Sequence, residues 1–331
     1  MLLSRFDSAE LVEDVRAFSP PTADVVAGGW PCQDISIGGS QIGLGGARSG
    51  LFYELLRVAE VSGATTIVAE NVPNLLRMAR GQAFREVVGA LRGAGFRFVA
   101  WRTLNSRAFG LPHERKRVFI VAGRGPEAPH ALFRDLPGLT DEQSVAAPSC
   151  SGFYWTAGTQ SICYSTGFSP TLKVGSGLSI PSPPAVHYGS VVRKITAVEA
   201  LRLQGFGLEA FAGVHDTDLF RMAGNAVSLP VGQWVMDTAE APESVDMHIG
   251  RWIPEGPLEP SGIVDESGAV YSVETKPGRL CNNLESFVDM ESTGRLSLRA
   301  ASGLLRRLER SGKNIPDGLH QELLRLSRGD T

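Results

Sequence analysis

From Asp24 to Gly123 the chain alternates short apolar runs with amphipathic ones, and that alternation leaves few folds open. DVVAGGW reads as a strand, GLFYELLRVAEV as a helix, TTIVAEN as a second strand and AFREVVGALRGAG as a second helix. RFVAWRTL and RVFIVAG add two further strands. Strands separated by helices imply a mostly parallel sheet under helical layers, with ligands at the carboxyl ends of the strands. Residues 24–123 are therefore expected to form the later part of such an α/β sheet, within a first domain spanning 1–123.

The rest of the chain reads differently. Residues 124–193 are rich in Pro, Gly and Ser with scattered aromatics (Phe153, Tyr154, Trp155, Tyr164, Phe168) and no sustained period, which suggests a small, separate, irregular domain. Residues 194–241 are expected to return to the first domain. There Thr196 with Glu199 three residues on forms a capping-box pattern, and an apolar helix is expected from about Leu219 to Met236. Residues 242–331 read as a C-terminal α+β module in which SGIVDESGAVYSVE suggests a short hairpin and LSLRAASGLLRRLERSG a basic amphipathic helix. Leu296, Ala300, Leu304, Leu305 and Leu308 share one face of that helix, with Arg299, Arg306, Arg307 and Arg310 over much of the remainder. Packing on a neighbour explains the first face; arginines in water, or arginines lying along nucleic acid, explain the second.

With 35 acidic residues against 32 basic ones the net charge is -3, so no global positive field draws a polyanion and any nucleic-acid site must be local. The basic residues are nearly all arginine, the lysines being Lys116, Lys173, Lys194, Lys276 and Lys313. Arginine suits bidentate contacts to phosphate and guanine, although a GC-rich genome produces the same bias. The four cysteines (Cys32, Cys150, Cys163, Cys281) lack CxxC spacing and histidine partners, which signals neither a disulfide framework nor a structural metal and implies a reducing compartment. No apolar run approaches the roughly 20 residues of a membrane span and no signal peptide opens the chain. A cytoplasmic protein without a membrane partner is expected.

The chemistry-bearing residues cluster at strand ends. In GGWPCQDIS, Cys32 follows an apolar strand, placed for nucleophilic work or, read alone, for a buried structural thiol, and a glycine-rich loop (Gly38 to Gly50) follows it. Glu70-Asn71-Val72-Pro73 closes the next strand, at the same sheet edge, where a Glu is otherwise commonly solvated or a cap. His113-Glu114-Arg115-Lys116-Arg117 precedes VFIVA, and strand alternation sends Arg115 and Arg117 to one side.

Taken in order, PCQ, ENV, RxR before a strand, EALRLQGF and GNAVSLPV resemble the DNA (cytosine-5) methyltransferase family of bacterial and phage type, over about Asp14 to Val235. The resemblance implies a Rossmann-like methyltransferase sheet, N-terminally incomplete, with a target-recognition domain at 124–193. It implies S-adenosyl-L-methionine as methyl donor, double-stranded DNA as partner, and flipping of the target base into a pocket closed by a mobile loop. On this footing Cys32 supplies the thiolate that adds to cytosine C6. Glu70 stabilises charge at N3, with a carboxyl that must be protonated or share a proton; Arg117 grips O2, and Arg115 supports it. Gln33, Ser36 and Arg48 correspond to substrate-side positions. Asp14, Pro31, Leu51, Asn225 and Val227 correspond to cofactor-side positions, and Thr196, Glu199, Arg202 and Gln204 to the block that packs the recognition domain onto the catalytic one.

The sequence departs from the family at His113 (usually Gln), Val198 (usually Arg) and Gly207 (usually Pro). More consequentially, the family's first block, an Asp-Phe pair with a glycine turn, and the ribose-binding acid of the second are not found ahead of Asp14. A longer reading frame, a second polypeptide supplying that cofactor block, or a relic would each account for this. The competing reading is a catalytically inactive DNA-binding or regulatory relative. A cysteine hydrolase leaves ENV and RxR unexplained, and methylation of tRNA is a further alternative.

Overall fold

Each apolar run of the first hundred residues condenses into the element its period dictates. A computed structural model describes residues 11–31, 50–138, 147–155, 162–173, 183–312 and 314–329. In chain order these contain β1 (Val25–Gly29), α1 (Gly50–Val61), β2 (Thr66–Asn71), α2 (Gln82–Gly93), β3 (Phe98–Asn105), β4 (His113–Glu114), β5 (Lys116–Gly123) and α3 (Glu127–Ala131). There follow β6 (Ser151–Phe153), β7 (Ser165–Thr166), β8 (Ser169–Pro170), β9 (Ala185–Tyr188), β10 (Val191–Lys194), α4 (Ala197–Arg202), α5 (Asp216–Asn225) and α6 (Leu229–Glu240). The last are β11 (His248–Trp252), β12 (Ser261–Val264), β13 (Val270–Glu274), α7 (Leu298–Ser311) and α8 (Asp317–Arg328). The chain divides into two units, one of Met1–Leu104, Lys116–Leu136 and Gly232–Pro277, the other of Asn105–Arg115, Pro137–Val231 and Gly278–Thr331.

The first unit is built on a seven-stranded sheet of order β1-β2-β5-β3-β12-β13-β11. β1 and β2 run parallel, joined through α1, but β5 runs antiparallel to β2, and β12 to β3. The expected mostly parallel sheet is thus corrected to a mixed one. A parallel neighbour requires a crossover of a dozen or more residues, whereas only the ten residues 106–115 separate β3 from β5, its neighbour in the sheet. Phe52, Leu56 and Ala59 of α1, at helical spacing, and Phe84, Val87, Val88 and Leu91 of α2 are buried in one core with Ile67, Val99, Trp101 and Ile120 of the strands. The C-terminal hairpin forms as expected but joins this sheet. Gly262 of β12 lies opposite Trp101 of β3, and a Cβ at Gly262 would stand 2.2 Å from the Trp101 ring, so only glycine lets the indole lie across the strand.

In the second unit β10-β9-β6-β7 form a four-stranded sheet, and β4 pairs with β8 in parallel. α7 and α8 pack on the four-stranded sheet: Leu304, Leu305, Leu308, Leu319 and Leu323 share a core with Phe153, Ala185 and Val192. Leu296 belongs to that core but precedes the helix, whose N-cap is Ser297. Residues 242–331 are accordingly not one module, since β11 to β13 belong to the first unit and α7 and α8 to the second. Likewise 124–136 lie in the first unit, and α4 and α5 do not return to it. The capping box forms, Thr196 Oγ1 accepting from Glu199 N and Glu199 Oε2 from Thr196 N. The single helix expected over 219–236 is instead α5 and α6, broken at 226–228, because Pro230 cannot continue a helix but fits the first turn of a new one.

Candidate functional site

β1 and β2 end at the same edge of the first unit's sheet. β5 starts there because it is antiparallel: Asn71 faces Val118 and Glu70 faces Phe119. Arg117 is thus one diagonal step from Glu70 on the same face, within reach of a long side chain, and its Nε stands 2.9 Å from Glu70 Oε1. The two side chains are only 18% and 22% exposed, so their charges are partly screened from water and their geometry is fixed. Gly29 is the register partner of Glu70 on the other side, and a Cβ there would come within 3.2 Å of Glu70 Oε2. The second glycine of GGW therefore makes room for the carboxylate.

Asn71, buried next to Glu70, holds the end of β1: its Nδ2 donates to Trp30 O (3.1 Å) while its Oδ1 accepts from Val72 N (2.8 Å). Trp30 itself is buried against Phe52 of α1, ring centroids 4.8 Å apart. These contacts fix where the chain leaves the sheet at Pro31, an exposed residue, on its way to position 32. Sequence reading passed over Asn71; a buried asparagine directly after a strand carboxylate is the signal that identifies it. Cys32, Gln33, Ser36 and Arg48, with the glycine-rich loop short of its last residue Gly50, lie outside the described residues.

Arg115 has partners of its own. It falls between β4 and β5, in the second unit, where its buried guanidinium donates to the carbonyls of Gly224 (3.1 Å), Ala226 (2.7 Å) and Leu172 (3.4 Å). Gln204 donates to Ala223 O and Ala226 O, and accepts from Ser228 Oγ, which also bonds Ser106 Oγ (2.7 Å). The turn 223–228 is therefore fastened from three sides, and it presents exposed Asn225 and half-buried Val227. Ser228 lies within the GNAVSLPV block, whereas Ser106 carries no sequence signal beyond its type. His113, at the position of an expected Gln, is fully buried and accepts from Leu172 N (3.0 Å), a supporting role.

On the side expected to take the methyl donor, Asp14 is 55% exposed, caps a short 3-10 turn by accepting from Arg16 N, and pairs with Arg16 at 3.5 Å. Arg57 of α1 pins this segment by donating to Val15 O (2.6 Å) and Phe18 O (3.1 Å). Leu51, Val15 and Phe18 each pack partly buried on the same core. The exposed carboxylate of Asp14 can accept from an amine such as that of adenine, and Trp30 has a buried Nε1 with no hydrogen-bond partner among the described residues. By type these residues suit part of S-adenosylmethionine.

Of the described cysteines, all free thiols, Cys150 and Cys281 are buried. Burial, with Glu285 second, pushes the Cys150 thiol up to about 12, and burial also raises Cys281. Neither is disposed to thiolate chemistry. Among the described residues no helix is long and apolar enough to cross a membrane.

The family model for C-5 cytosine-specific DNA methylase matches residues 6–146. Among curated proteins the chain is similar to Type II methyltransferase M2.BsuMI of Bacillus subtilis (strain 168), 33% identical over 261 residues covering 73% of this chain and 67% of the relative. It is also similar to Type II methyltransferase M.NgoBI of Neisseria gonorrhoeae, 28% identical over 66% of this chain and 75% of the relative. A third, Type II methyltransferase M.Bsp6I of Bacillus sp. (strain RFL6), is 27% identical over 69% and 83% respectively.

Proposed function

The chain belongs to the family of C-5 cytosine-specific DNA methylases, and we infer that it carries out the family's reaction through Cys32, Glu70 and Arg117. It is an α/β methyltransferase that moves a methyl group from S-adenosylmethionine to C5 of cytosine in DNA. The observation that carries the residue assignment is the Glu70–Arg117 pair, 2.9 Å apart at the sheet edge where β1 delivers the chain towards Cys32.

Cytosine C5 is a poor nucleophile until C6 is attacked. The Cys32 thiolate forms the S–C6 bond, the 5,6 double bond opens, and negative charge develops towards N3. Glu70 meets that charge by sharing a proton with N3, which makes C5 an enamine carbon. Arg117 stands at hydrogen-bond distance from Glu70 in the free chain. A bound base draws Arg117 to O2 and leaves Glu70 to N3. The donor, when bound, supplies an electrophilic methyl group to C5, and Asp14 with Leu51 would hold its adenosine edge. Loss of the C5 proton to a base then expels Cys32 by β-elimination and restores the ring. Arg115 takes no part in this chemistry; it is a positioning residue for the turn bearing Asn225 and Val227.

A second polypeptide, or further chain ahead of Asp14, would complete the donor site. The support is that the described residues by type suit only part of the donor. We place target recognition in the second unit, around β6 to β10, and the protein in the bacterial cytoplasm with its DNA, in keeping with its Type II methyltransferase relatives.

The deciding experiment offers the protein, with and without upstream sequence or partner chain, a duplex carrying 5-fluorocytosine at the target. With S-adenosylmethionine present C5 is methylated and its fluorine cannot leave as a proton would, so a covalent adduct should accumulate with wild type and be absent from Cys32→Ser. An undiminished adduct from Cys32→Ser would remove the nucleophile assignment.

A further inference from the structure

In the second unit α7 holds four arginines and one glutamate in a chain whose net charge is -3. Its apolar face is occupied: Ala301, Leu304, Leu305 and Leu308 are buried against the four-stranded sheet and α8. Arg299, Arg306, Arg307 and Arg310 remain exposed. Packing explains the leucines and leaves the arginines without an account.

Arg307 lies back along the helix over Gly303, its Nη1 3.5 Å from where a Cβ would be, and its Nη2 donates to Trp155 O at 2.7 Å. Trp155 is held from two more sides, by Lys194 Nζ 3.9 Å over its ring and by its own Nε1 donating to Pro183 O (2.8 Å). One tryptophan thus joins the cation ending β10 to the basic face of α7. Among the described residues, none of Arg299, Arg306, Arg310 and Lys194 is ion-paired. Burial, and after it the charge of Arg306, lower the Arg307 guanidinium.

Helical spacing puts Arg299, Arg306 and Arg310 on one stripe, with Arg306 and Arg310 about 6 Å apart along the axis and Arg299 about 10 Å further back. A DNA strand presents a phosphate about every 3.4 Å of duplex axis, so this stripe spans several. We propose that the stripe Arg299–Arg306–Arg310, continued by Lys194 at Trp155, grips the phosphate backbone of substrate DNA outside the target base. It rests on the DNA reading above, and it adds a sequence-independent contact made by an element outside the family's motif blocks.

The test uses the full chain and a duplex of scrambled sequence, with binding followed from about 50 to 200 mM salt. Each phosphate contact steepens the log-log salt dependence by about 0.9. Arg306→Gln with Arg310→Gln should flatten the slope by about 1.8, weaken binding to all sequences alike and leave Tm unchanged; adding Lys194→Gln should flatten it by about 0.9 more. Arg306→Lys with Arg310→Lys should keep the wild-type slope. An unchanged slope in the glutamine variants overturns the proposal, including the outcome in which this face serves an acidic protein, and so does an equal loss in the lysine variants. If wild type binds no DNA under any salt, the DNA reading fails instead.

Discussion

Glu70 illustrates how little separates a structural carboxylate from a reactive one. As the structure stands it is an ion-pair acceptor, 2.9 Å from Arg117, in a space that Gly29 leaves open. Its proposed duty begins only after Cys32 has attacked, so its loss should be felt in the transition state more than in the ground state. Glu70→Gln keeps the shape and one hydrogen-bonding oxygen but removes the proton traffic. Methylation should fall by about two to four orders of magnitude, the range of general acid–base contributions, with the Kd for target DNA nearly unchanged. Single-turnover kinetics beside a binding titration separates the two, and a matching rise in Kd would make Glu70 structural.

Elements are fastened by buried polar groups as firmly as by their apolar faces. At the start of α4, Glu199 is 1% exposed and takes two hydrogen bonds from Arg193, at 2.7 and 2.9 Å, and one each from Thr196 N and Asp289 N. Burial by itself would raise this carboxyl, but the Arg193 bonds and the backbone donors outweigh it and hold Glu199 below the usual range. A carboxyl depressed by folding contributes stability that is complete above its unfolded value, about pH 4.3, and is lost as pH falls through the lower folded value. Glu199→Gln strands a buried guanidinium and should cost about 3–5 kcal/mol at neutral pH. Thermal unfolding across pH should show its Tm deficit shrinking towards acid pH; a constant deficit would mean that the charge of Glu199 is irrelevant.

At the scale of the whole molecule the final residues complete a core cluster of the second unit that the earlier chain begins. Leu304, Leu305, Leu308, Leu319 and Leu323 share one cluster with Phe153, Ala185 and Val192 of the four-stranded sheet. Each leucine buried contributes about 1.5–3 kcal/mol relative to exposure, so the sum is comparable to the whole net stability of an ordinary domain. A chain ended after Pro277 should therefore lose the second unit's cooperative transition while keeping β12 and β13 in the first unit's sheet. For the same reason, moving residues 137–231 into a relative should transfer sequence preference only together with 278–331. Calorimetry of the truncated chain checks the first expectation, and two intact transitions would refute it.

Periodicity and spacing, which are local, determined the strand and helix runs of the first unit, the Thr196–Glu199 cap, the 261–274 hairpin and the ordered blocks that mark the family. They also put Glu70 at the end of its strand and a pair of arginines before another. Tertiary structure alone decided which strands meet. The short 106–115 link turned β5 antiparallel, which brought Arg117 to Glu70, and interruption of the strand at Arg115 broke the alternation that would have placed both arginines together. Gly262 opposite Trp101 drew the C-terminal hairpin into the first sheet, while α7 and α8 were claimed by the second unit. A local pattern encodes which face of an element is apolar; which partner covers it depends on shape, link length and vacant space elsewhere in the chain, and no window of sequence contains those.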